Sequence, residues 1–163
     1  MGRVFFNTRE NTHELTASDA TYQCLASDSG KTFVLNSASA MTVTLPADAD
    51  IEFGWHCRFL MLTDNNNAYT IKCSDVTDST GQMFTGAVNY QIIADATANV
   101  FQGAAATAAN DSQIAFDSNL ANGAGEPGSY MDVIKIAANK FAISGYMISD
   151  DADSTGAAVL SNI

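Results

Sequence analysis

Asp48, Asp50 and Glu52 alternate along one short stretch just after Leu45-Pro46. Paired carboxylates are the equipment of glycoside cleavage, one acid protonating the leaving oxygen while the other serves as base or nucleophile. Such chemistry needs a long groove and far more chain, so the cluster reads as a solvated acidic loop. Asp151, Asp153, Thr155 and Gly156 copy the first half of a calcium loop, but Asn162 stands where the bidentate Glu belongs, and the segment reads as a polar tail. Cys24, Cys57 and Cys73 form neither an even disulfide framework nor a CxxC knuckle, which favours reduced thiols buried as small hydrophobes. A hairpin of Gly54 to Asp64 with Tyr69 to Asp75, turning at Asn65, Asn66 and Asn67, would bring Cys57 and Cys73 face to face and allow a disulfide. His13 and His56 have no Cys, His or carboxylate at metal-ligand spacing, and no nucleophile elbow, P-loop or dinucleotide fingerprint is present. The expectation is no enzyme, no cofactor and no metal.

The elements that would position these residues are strands. Met41, Val43 and Leu45 alternate with Thr42 and Thr44, the period of a strand with one buried face, and Pro46 ends it because it lacks the N–H that a sheet ladder needs. Short strands are predicted at Tyr22 to Leu25, Thr32 to Leu35 and Tyr69 to Cys73. In Trp55 to Leu62 both faces are largely apolar, which predicts a central strand or a subunit seam, with Trp55, Phe59, Leu60 and Leu62 as interface or core residues. Val88 to Ile93, Val100 to Gly103 and Ile114 to Phe116 read as further strands, and Ala104 to Ala109 as a possible short helix. Tyr130 to Ala137 and Lys140 to Ile148 flank Ala138-Asn139 as a hairpin, with a bulge expected at Val133-Ile134. The prediction is a mainly β, single-domain antiparallel sandwich, jelly-roll-like fold or distorted barrel with at most one or two short helices. Residues 1–16 are read as an arm, 17–149 as the β domain and 150–163 as an acidic tail. No internal repeat or long heptad pattern is visible, which disfavours a solenoid and a coiled-coil shaft.

The 163 residues suffice for one domain with its own core. The composition is 47% apolar and only 15% charged, and the formal net charge is −11, a field that repels nucleic acid. No signal-peptide pattern and no apolar run of membrane-spanning length occurs, so no membrane is expected as a partner and export by the usual route is not expected. Two of the seven basic residues, Arg3 and Arg9, flank Val4, Phe5 and Phe6 in the arm, which is either a docking segment or an edge strand.

Several stretches carry a resemblance: Thr16-Ala17-Ser18-Asp19, DSGKTF from Asp28 to Phe33, TVTLPA from Thr42 to Ala47, and the aromatic-rich strand after Gly54. Together they resemble small virion proteins of tailed bacteriophages, especially the head-decoration (cement) proteins of marine phages. The likeness covers Leu15 to Cys73 best, with an echo in Ser112 to Phe116 and in Ile143-Ser144-Gly145. It implies a homotrimer at three-fold positions of an expanded head, bridging major capsid subunits, assembled in the host cytoplasm and located on the capsid surface of the virion. On that reading Arg3, Val4, Phe5, Phe6 and Arg9 face the capsid. The TLP pattern also resembles tail-fibre and head-fibre modules, which are commonly trimeric and bind receptors.

Overall fold

The computed structural model describes residues 11–63, 68–75, 81–92, 100–105, 111–116, 125–149 and 160–161. Among them the strands run in the order β1 (Thr12–Thr16), β2 (Thr21–Gln23), β3 (Thr32–Asn36), β4 (Met41–Thr44), β5 (His56–Met61) and β6 (Tyr69–Lys72). Then follow β7 (Met83–Ile92), β8 (Val100–Ala105), β9 (Gln113–Phe116), β10 (Tyr130–Ala137), β11 (Lys140–Ser149) and β12 (Leu160–Ser161). The helical elements described are single 3-10 turns at Ala17–Asp19, Ala26–Asp28 and Asp48–Asp50. The protein is therefore mainly β, as its alternating patterns predict, and its two sheets share one core.

The seven-stranded sheet has the order β1-β3-β5-β10-β11-β7-β8, and the five-stranded sheet the order β12-β9-β6-β4-β2. From β1 to β6 the chain alternates between sheets at every step, so neighbours in each sheet run parallel: β1 with β3 with β5, and β2 with β4 with β6. The strands β1 to β6 thus wind as a flattened parallel coil of three turns. Two expectations are corrected here. Pairing is mixed rather than antiparallel throughout, and a short solenoid-like winding exists although no repeat is visible in the chain. The repeat survives only at inward positions, where Leu15 lies beside Leu35 and Leu35 beside Met61, and His13 beside Phe33 and Phe33 beside Phe59. Connections of unequal length between these strands hide the period.

Alternation sends Leu15, Phe33, Leu35, Phe59 and Met61 from the larger sheet, and Met41, Val43, Tyr69 and Ile71 from the smaller, into the common core. Phe33 and Phe59 stack with centroids 5.4 Å apart and rings 18° from parallel. The Tyr69 hydroxyl, buried among them, donates to the Ser37 carbonyl and accepts from the Ser37 amide, which removes the cost of burying it. The predicted hairpin is present as β10 and β11, with Asn139 at φ 56° in its turn, a conformation that Asn tolerates better than most residues. The bulge lies between Lys135 and Ala137 rather than at Val133-Ile134, where β10 keeps strict alternation with Val133 inward and Ile134 outward. Thr12–Thr16, read from sequence as part of the arm, is strand β1, and Leu160–Ser161 of the tail pairs with β9. Val100–Ala105 is a strand, so a helix does not begin at Ala104; residues 106–109 lie outside the described residues.

Candidate interaction surface

β5 is a central strand, flanked by β3 and β10, and this separates the four residues assigned to it as core or interface. Phe59 is fully buried. Trp55 is also buried, its indole N–H donating to the Leu25 carbonyl at 3.3 Å and its ring edge-on to Phe141. Leu60 is half-buried on the outer face of the seven-stranded sheet, and Leu62, just beyond the strand, is 52% exposed. Trp55 and Phe59 are therefore core, while Leu60 and Leu62 remain available for contact. Arg3, Val4, Phe5, Phe6 and Arg9 lie outside the described residues, as do Asp151, Asp153, Thr155, Gly156 and Asn162.

That outer face has a defined chemistry. Strand register sets Arg58 opposite Asp132, and the guanidinium grips the carboxylate through two bonds of 2.7 Å while lying 4.8 Å over the Tyr130 ring. The carboxylate fork holds the Arg58 proton more firmly than usual. Both side chains are well exposed, so this pair contributes only about 0.2–1 kcal/mol to stability. Its effect is to fix the direction of two charges between Leu60 on one side and the outward Ile134 and Ile136 of β10 on the other. A shallow depression of about 400 Å³ beside it is lined by Gly30, Lys31, His56, Arg58, Asp132 and Ile134. His56 is exposed there, its Nδ1–H donating to the Gly54 carbonyl at 2.9 Å.

Buried polar groups tie the connections to the sheets. Asp28 accepts from the Leu25 amide at 2.8 Å, the Lys31 ammonium at 2.7 Å and the Tyr22 hydroxyl at 3.3 Å. Burial alone would raise its pKa, but Lys31 and these donors together outweigh it and hold the carboxyl below its ordinary value. Tyr22, half-buried beside that carboxylate and 3.3 Å from His13 Nδ1, is pushed up to about 12 by desolvation and by Asp28. Lys135 is 4% exposed, and its ammonium donates to the Asp48 and Ile51 carbonyls and to the Asp48 carboxylate. Gln82 gathers Ser74 and Asp75 with its side-chain oxygen and donates to the Pro46 carbonyl. These clusters hold turns in place.

Of the acidic stretch, Asp48 is not simply solvated but ion-paired with Lys135, whereas Asp50 and Glu52 are exposed. Cys24, Cys57 and Cys73 are buried free thiols. The hairpin that would have joined Cys57 to Cys73 does not form, because β5 and β6 belong to different sheets. Sequence reasoning overlooked Lys135, although a lysine in phase with Met131 and Val133 is the mark of a buried cation that must find partners. Among the described residues, no group of three or more His, Cys, Asp or Glu is gathered closely enough to hold a metal ion. The chain matches no protein-family model, no curated protein and no solved structure.

Proposed function

We propose that this chain is a structural virion protein that decorates and stabilises the mature capsid of a tailed phage, binding major capsid subunits as a homotrimer and catalysing nothing. The resemblance over Leu15 to Cys73 motivates the reading, and one feature of the fold supports it. The outer face of the seven-stranded sheet offers Leu62, Ile134 and Ile136 to solvent around the oriented Arg58–Asp132 pair, an apolar patch with a polar element as protein contacts have. A protein that binds only the mature lattice stabilises it by mass action, against heat and internal pressure, without chemistry. In this reading Arg3, Val4, Phe5, Phe6 and Arg9 supply capsid contacts and the sheet face supplies contacts between copies. The net charge of −11 keeps the protein from competing for the packaged nucleic acid.

Quantitative protein analysis of purified virions tests the reading. The expected result is a copy number approaching that of the major capsid protein; a few copies per particle would overturn it. Removing Met1 to Arg9 is expected to abolish head binding and leave the oligomer intact. The second reading, a trimeric tail-fibre or head-fibre module, is favoured by the parallel coil of β1 to β6, since stacked parallel turns suit elongated appendages. Low copy number with localisation to an appendage would select it.

A further inference from the structure

The connection after β2 and the connection after β4 run side by side, and together they line an open groove. One part, of about 560 Å³, is bounded by Leu25, Pro46 and Ala47; the other, of about 380 Å³, by Ile51, Phe53 and Trp55. Ala26 and Asp50 border both parts, so the two form one continuous track. Its most prominent walls are apolar and uncovered: Phe53 is 70% and Leu25 56% exposed, the highest values among the large hydrophobic side chains described. The backbone that carries them is anchored. The Leu25 amide donates to Asp28 and its carbonyl accepts from Trp55, while the Phe53 ring faces the Lys135 ammonium and the next amide, of Gly54, donates to the Lys135 carbonyl.

The charge of the rim is one-sided. Asp48 is neutralised by Lys135, but Asp50 and Glu52 are exposed and form no ion pair among the described residues. An apolar track bordered by two uncompensated carboxylates repels nucleic acid and acidic surfaces and attracts a chain that is apolar and cationic together. We propose that this groove binds an extended segment of a partner protein in which an aromatic or aliphatic side chain stands between arginine or lysine residues. The apolar side chain packs between Leu25 and Phe53, and the cations reach Asp50 and Glu52. The site is independent of the virion reading, since its chemistry would be the same in any assembly.

Trp55 is the only tryptophan of the chain and lines the groove, so its fluorescence reports occupancy. The probe is the peptide acetyl-Gly-Arg-Leu-Phe-Arg-Gly-amide, with a control in which Glu replaces both arginines. The arginine peptide is expected to give a saturable change in Trp55 emission that weakens with salt, and the glutamate peptide none. Asp50→Asn with Glu52→Gln should weaken binding roughly fivefold, and Phe53→Ser about tenfold. All three side chains are exposed, so thermal melts should shift only slightly, Phe53→Ser losing its weak contact with the Lys135 ammonium, and loss of binding would not reflect unfolding. No saturable response at millimolar peptide, equal responses to the two peptides, or binding untouched by the variants would overturn the proposal. Head binding measured with virions stands apart from this assay, so failure of either idea is recognisable by itself.

Discussion

Lys135 occupies an inward position of β10 where an apolar residue would ordinarily stand. An ammonium has three protons, and here each has an acceptor, two carbonyls and one carboxylate at 2.7 to 2.8 Å. Lys135→Met should therefore cost about 2–3 kcal/mol in urea denaturation, because Asp48 and two carbonyls lose their donor; Asp48→Asn should cost less, about 1 kcal/mol, since the carbonyl bonds persist. Asp28 sets a pH dependence at the same scale. Its folded carboxyl is held below the ordinary value, so its contribution is complete above about pH 4 and disappears as pH falls through the folded value. Asp48, also lowered despite the opposing effect of burial, through its bonds to Lys135 and Asn139, acts in the same sense. Thermal melts of the wild type should fall on acidification below about pH 4, and Asp28→Asn should be less stable at neutral pH with a shallower acid limb.

At the scale of elements, β11 is gripped from both sides by backbone that approaches too closely for side chains. A Cβ at Gly145 would lie 2.3 Å from the Tyr130 carbonyl oxygen, and one at Gly86, whose φ is +110°, 2.3 Å from that of Ile143. Gly145→Ala should destabilise by roughly 2–3 kcal/mol through forced separation of β10 and β11, measurable as a drop in the denaturation midpoint. Phe59→Ala, which removes one half of the Phe33 stack at full burial, should cost about 3–5 kcal/mol. The hairpin of β10 and β11 was legible because alternation on both strands and a two-residue turn are local signals. The position of the bulge was not, since which residue of β10 is left unpaired is set by the ladder with β11 and not by the local pattern.

For the whole molecule, the three buried thiols predict an alkaline limit. Burial pushes Cys73 up to about 12 and raises Cys24 and Cys57 as well. A group raised in the folded state favours folding fully below its unfolded value, about 8.5 for a thiol, and loses that contribution as pH climbs toward the folded one. Stability should therefore decline above about pH 8.5, and replacement of all three by Ala should flatten that decline. In the native state the thiols should be inert to a thiol reagent until denaturant is added.

By itself the sequence determined that this is a mainly β protein with a core of alternating residues and a strong negative charge, and it narrowed Trp55 to Leu62 to a central strand or a subunit seam. Those properties follow from side-chain period and from counts, which need no knowledge of what lies opposite. Tertiary structure decided the rest. Whether β1, β3 and β5 pair in parallel depends on the chain crossing to the other sheet between them, and only two inward residues per strand record it. Leu60 and Leu62 differ from Trp55 and Phe59 because one residue of phase separates the core from the outer face. The groove at Leu25 and Phe53 exists because two distant connections meet, and distance along the chain carries no trace of that meeting.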